Sequence, residues 1–159
     1  MATTPEVGDQ APDFTAPVVG GDYGEGAHIT LSELTGKKPI VLYFYPKDDT
    51  PGCTTQACAI RDHWGELQKK AHVFGLSVDS VEKHEKFIAK HNLPFPLIAD
   101  LDQQVVLHYG VWVEKNMYGK KFMGIARTTF VIGTDGIITH IFPKVKPSDH
   151  VDMLLEALG

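Results

Sequence analysis

Both cysteines of the chain, Cys53 and Cys58, lie in the stretch Pro46-Lys47-Asp48-Asp49-Thr50-Pro51-Gly52-Cys53-Thr54-Thr55-Gln56-Ala57-Cys58, directly after an apolar run from Pro39 to Tyr45. A strand followed by Thr-Pro-Gly reads as a tight entry into a helix, which puts Cys53 in the helix's opening turn. Unpaired N–H groups and the macrodipole at that end favour negative charge, and so thiolate over thiol. Thiols in such electropositive settings titrate between about 3.5 and 7.5 instead of about 8.5. Cys53 is therefore a candidate nucleophile, and the hydroxyl of nearby Thr50 can hydrogen-bond an incoming polar group. The competing reading makes both cysteines small buried hydrophobes.

Cys58 adds a geometric condition, because it follows Cys53 by five residues. On an intact helix such positions have α-carbons about 8.6 Å apart, beyond the usual disulfide limit of about 7 Å. A bond between them requires local unwinding, so the pair implies redox chemistry coupled to melting of a turn or two. A metal site built on Cys53, Cys58 and His63 is disfavoured, since its spacing is unlike common zinc sites. The eight histidines are scattered without a ligand pattern and read as surface or satisfied side chains.

At this point the residues resemble those of a known family. Pro46-x-x-x-Thr50-x-x-Cys53 is similar to the active-site signature of peroxiredoxins, and Thr50-Pro51-Gly52-Cys53 with Cys58 resembles their bacterioferritin-comigratory-protein, or peroxiredoxin Q, branch. Gly8-Asp9-Gln10-Ala11-Pro12-Asp13-Phe14, Tyr109-Gly110-Val111-Trp112 and Gly124-Ile125-Ala126-Arg127-Thr128-Thr129-Phe130-Val131-Ile132 carry the likeness over nearly the whole chain. The resemblance implies a thioredoxin-like α/β fold with a central mixed sheet flanked by helices, and a thiol peroxidase acting on hydrogen peroxide and organic hydroperoxides. It also implies that Cys53 is the peroxidatic and Cys58 the resolving cysteine. By the same likeness Thr50 holds the peroxide, Pro46 shields the thiolate, and Arg127 stabilises thiolate and developing oxyanion. A Cys53–Cys58 disulfide would be recycled by thioredoxin or a similar dithiol, with no metal or cofactor. An intramolecular pair needs only a monomer, and a weak dimer stays open as well. A redox sensor or chaperone switched by the same disulfide is the non-enzymatic alternative; a disulfide oxidoreductase is disfavoured because the chain lacks a C-x-x-C pair.

Arg127 has support independent of the likeness, because it opens an apolar strand, Thr128 to Ile132, where a charge needs a partner or a task. Gln56 can donate and accept but supplies no charge, which suits a supporting role. Tyr43 and Tyr45 alternate with Leu42 and Phe44, so the tyrosines share one face of the strand. Tyr45, next to Pro46, is the second supporting candidate.

The elements that must position these residues alternate between strand and helix. Pro39 to Tyr45 reads as a buried strand, Thr54 to Lys70 as one helix, and Val73 to Val78 as a second strand. Ser80 caps a helix to about His91, ahead of Pro94 and Pro96, and a short helix begins at Asp102. Gly133-Thr134-Asp135-Gly136 joins a hairpin of Thr128–Ile132 and Ile137–Phe142. Ser148 caps a last helix whose Val151, Leu154, Leu155 and Leu158 form one apolar stripe.

At 159 residues the chain fits a single domain, 1–159, and its net charge of −5 without basic clusters argues against nucleic acid. No apolar run approaches the length of about 20 residues that crosses a bilayer. Met1 to Val7 lacks the pattern of a secretory leader. Two close cysteines in an otherwise cysteine-free chain fit a reducing, cytoplasmic setting.

Overall fold

A computed structural model describes residues 4–159, so the Met1–Val7 stretch lies partly outside the described residues. In chain order the elements are β1 (Thr15–Val19), β2 (His28–Thr30), α1 (Leu31–Leu34), β3 (Ile40–Phe44), α2 (Pro51–Asp62), α3 (Trp64–Lys70), β4 (His72–Ser77), α4 (Val81–His91), β5 (Leu97–Ala99), α5 (Gln104–His108), β6 (Trp112–Met117), β7 (Lys120–Ile125), β8 (Thr128–Ile132), β9 (Ile138–Pro143) and α6 (His150–Leu158).

Seven strands form one mixed sheet in the order β2-β1-β5-β4-β3-β8-β9. Its centre, β5-β4-β3, is parallel, and antiparallel pairs extend it on both sides. Parallel strands need covered faces, and the residues comply: every side chain of β3 is buried. Alternation along β3 then splits the core in two. Ile40, Leu42 and Phe44 join Phe74, Tyr109 and Phe130 on one face, beneath α1, α5 and the N-terminal segment. Val41, Tyr43 and Tyr45 join Ala57, Ile60, Leu67, Phe87 and Leu154 on the other, beneath α2, α3, α4 and α6. The expected central mixed sheet flanked by helices is what the chain forms, and the two tyrosines do share a face.

Some elements depart from the sequence reading. The single helix expected over Thr54–Lys70 starts earlier and breaks in two. Pro51 takes the first helical position, where its missing N–H costs nothing. His63 then leaves helical geometry at φ −114° and ψ 17°, with its ring Nδ1 2.9 Å from the Ala59 carbonyl. Ser80 caps α4 as expected, accepting from the Lys83 N–H at 3.2 Å, whereas the last helix takes Asp149 and not Ser148 at its N-cap. The β6–β7 hairpin was not legible. Its turn residues, Tyr118 and Gly119, both have positive φ, a mirror-type turn that usually announces itself as Asn-Gly or Asp-Gly.

Candidate active site

The end of β3 and the start of α2 deliver Cys53 to the floor of the site. Thr50 is the N-cap residue of α2, yet its hydroxyl does not cap: it donates 2.8 Å back to the Lys47 carbonyl. The N–H groups of the first turn are thus left without a side-chain acceptor, and the positive end of the helix stays open to an anion. Cys53 sits in that turn, 1% exposed, with its sulfur 3.4 Å from Arg127 Nη2. Arg127 comes from the strand-opening position just before β8. Its guanidinium passes so close over Gly52 that a Cβ there would lie 3.1 Å from Nη2, which explains the glycine before the cysteine.

Arg127 is held from its other side. Nη1 donates to Gln56 Oε1 at 2.5 Å, and Gln56 is itself fully buried. The amide nitrogen of Gln56 then lies 3.1 Å from His150 Nδ1, and His150 Nε2 lies 2.8 Å from the Thr129 hydroxyl on β8. Guanidinium can only donate, so the Gln56 oxygen must face it and the amide N–H must face the histidine. His150 Nδ1 therefore accepts, and the ring is neutral with its proton on Nε2. Burial first, then the nearby Arg127 charge, pushes the His150 pKa down to about 3, in keeping with that tautomer.

A second network fixes the loop leading into α2. Tyr45 donates 2.5 Å to Asp48 Oδ1, and Asp48 Oδ2 lies 2.6 Å from His84 Nδ1. His84 Nε2 faces the Ile98 carbonyl at 2.9 Å, an acceptor only, so that nitrogen carries a proton. The Asp48 N–H donates to Asp79 Oδ2 at 2.8 Å. Tyr45 thus acts on the loop through Asp48 and makes no hydrogen bond to the thiol. Pro46 is half-buried in that loop, between Tyr45 and the network it anchors.

Arg127 contacts both Cys53 and Gln56, and Thr50 lies one turn before Cys53 along the chain. Cys58 stands apart on α2, partly exposed, and both cysteines are free thiols. Sequence reasoning missed His150, Thr129 and the Asp48–His84 pair. One signal was available: His150 lies four residues before Leu154, on the buried stripe of its own helix. Lys115 on β6 was also missed; burial, and then the Arg127 charge, hold its ammonium below the ordinary lysine range, with Cys53 opposing. Among the described residues no group of histidine, cysteine and acidic side chains is arranged to hold a metal.

The sequence profile of the AhpC/TSA family matches residues 7–141. The chain is a peroxiredoxin. Peroxiredoxin bcp of Coxiella burnetii is 52% identical over 147 residues, 92% of this chain and 93% of that protein. Peroxiredoxin Bcp of Bacillus subtilis is 47% identical over 156 residues, 98% and 96% of the two chains. Among solved structures, bacterioferritin comigratory protein of Xanthomonas campestris superposes with a TM-score of 0.86 at 36% identity, covering 99% of this chain and 96% of its own. This peroxiredoxin accordingly has the thioredoxin-like fold and is a thiol peroxidase, taking a peroxide as oxidant and a thiol as reductant. No helix among the described residues is long and apolar enough to cross a membrane.

The buried neutral His150 also sets how this peroxiredoxin responds to acid. The unfolded chain takes up a proton on this histidine below about pH 6.5, while the folded chain resists until about pH 3. Between those values the unfolded state binds more protons, so stability falls as the pH falls. At about 1.4 kcal/mol per unit the loss amounts to several kcal/mol across the window. Denaturant melts at pH 7 and pH 4 should show this slope, and His150→Asn should flatten it; an unchanged slope in the variant would assign the acid sensitivity to other groups.

Proposed function

We propose that this peroxiredoxin reduces hydrogen peroxide and organic hydroperoxides through Cys53, and that the whole chain, 1–159, acts as one catalytic domain. The observation that carries the reading is the Cys53 Sγ to Arg127 Nη2 contact of 3.4 Å at an uncapped helix start. The thiolate attacks one peroxide oxygen, the O–O bond breaks, and the leaving oxygen departs as water or an alcohol once it gains a proton. Cys53 is left as a sulfenic acid. Arg127 and the first-turn N–H groups stabilise the charge that moves from sulfur to oxygen. The Thr50 hydroxyl already donates to Lys47, so its remaining lone pairs are suited to accept the peroxide O–H. Pro46, in the Asp48-anchored loop, screens the sulfur from bulk water.

The Cys58 thiol then attacks the sulfenic sulfur, water leaves, and a Cys53–Cys58 disulfide forms. Capture within the chain protects Cys53 from further, irreversible oxidation. The cycle closes within a monomer, with thioredoxin or a similar dithiol restoring both thiols by exchange. The organic part of the substrate range draws on the alkyl peroxide reduction named for the Xanthomonas campestris relative.

Intact-mass analysis after one equivalent of peroxide tests the scheme. The wild-type chain should lose two hydrogens, and Cys58→Ser should gain one oxygen that a sulfenic-acid probe captures. Peroxide that leaves both thiols intact would sink it.

A further inference from the structure

We propose that His150 is a positioning residue of this peroxiredoxin, setting the amide orientation of Gln56 and through it the placement of the Arg127 guanidinium over Cys53. The proposal rests on the reading of Cys53 and Arg127 as the reacting pair.

Gln56 could present either end of its amide to Arg127, since the two ends have nearly the same shape. Only the oxygen end binds a guanidinium; the nitrogen end would oppose donor to donor. The arrangement holds only if the partner on the far side accepts from the amide N–H that is thereby turned away from Arg127. His150 Nδ1, 3.1 Å from the Gln56 amide nitrogen, is an acceptor only while the ring is neutral and its proton is on Nε2. Thr129 Oγ1, 2.8 Å from Nε2, is the acceptor that keeps the proton there. Four side chains from α2, α6, the segment before β8 and β8 itself therefore form one directed line: Arg127 donates to Gln56, Gln56 to His150, and His150 to Thr129. The charged or titratable groups facing His150 are Arg127 and Tyr43, whose ring packs at 5.4 Å and 62°. Burial holds the Tyr43 phenol well above its ordinary range, so it too stays neutral, and its hydroxyl makes no hydrogen bond among the described residues, which leaves Nδ1 to the amide.

The chemical consequence is specific to a neutral histidine. A carboxylate at position 56, or an imidazolium at 150, would place a full charge beside the guanidinium and alter the field at the thiolate. A neutral amide and a neutral ring position Arg127 while leaving its charge for the sulfur. Gln56 and His150 are 94 residues apart, so this is a tertiary device and not a local motif.

The experiment uses the full-length reduced protein. Nitrogen-resolved NMR of the wild type should show His150 as the Nε2–H tautomer with no titration between pH 5 and pH 8; an Nδ1–H tautomer or a titrating ring overturns the proposal without any variant. His150→Phe should slow the single-turnover reaction with peroxide by about ten- to a hundredfold, as expected when a reacting group is displaced by about an ångström. It should also move the pH midpoint of Cys53 alkylation by iodoacetamide upward. His150→Asn, which retains an acceptor near Nδ1, should restore most of the rate. Thr129→Val removes the acceptor for Nε2–H at nearly constant volume and should reproduce part of the defect if His150→Phe does not fold. Arg127→Met serves as the reference. If it moves rate and midpoint while His150→Phe and Thr129→Val move neither, the positioning role is wrong and the site reading stands; if Arg127→Met itself moves neither, the site reading has failed.

Discussion

Cys53→Ser should lose at least about a thousandfold in peroxide consumption, the scale on which removal of a covalent nucleophile is felt. The same variant should fold as the parent does. Cys53 is 1% exposed and packs with Ala57, Ile60 and Tyr43, and serine is slightly smaller with a hydroxyl that can still accept from Arg127. The test is therefore clean: circular dichroism and thermal melting should report a native protein while coupled peroxide turnover falls to background. Cys58→Ser should behave differently, completing one rapid oxidation and stalling thereafter. Residual turnover of Cys53→Ser above about a thousandth of wild type would move the nucleophile elsewhere.

The second large effect belongs to Arg127. Arg127→Met should slow the peroxide step by about a hundred- to a thousandfold, the range seen when a preorganised donor to a developing anion is removed. Two separate bonds are lost, one to Cys53 Sγ at 3.4 Å and one to Gln56 at 2.5 Å. Arg127→Lys should recover little, although it keeps the charge. A point-charge ammonium cannot hold sulfur and amide at once, whereas the planar fork does so with its two Nη atoms. Stopped-flow measurement of the first oxidation, by tryptophan fluorescence or by competition with a reporter peroxidase, isolates this step from reductant recycling. A lysine variant within about threefold of wild type would show that charge alone suffices.

Much of this site could be read from residue order, for a physical reason: helix-start chemistry is local. Thr50, Pro51, Gly52 and Cys53 are consecutive, and the strand before them is apolar throughout. Local patterns likewise announced α4 through Ser80, and the β8–β9 hairpin through its glycine-bounded turn. Arg127 is not local, and it drew attention as a charge opening a buried strand. His150 escaped because its partners are set by how α6 lies over β8, which no spacing in the chain encodes. Asp48 and His84 escaped likewise, being 36 residues apart and joined only once α4 packs beside the loop. Tyr45 was singled out for its nearness to the motif, and its hydroxyl turns out to be bound to Asp48.

The interruption at His63 would limit what the proposed Cys53–Cys58 oxidation disturbs. Helix formation is cooperative, so melting that begins at one end of an unbroken helix tends to spread along it. Here the twelve residues of α2 stop at Asp62, and α3 is tethered on its own account, with Leu67 fully buried and the Gln68 carbonyl accepting from Lys38 at 2.7 Å. The bend works as a firebreak. Under the proposed scheme, residues 51–62 would come apart to bring the two sulfurs together while α3 stays in place, so a cysteine pair that clashes with helical geometry would be worked repeatedly without endangering the rest of the protein.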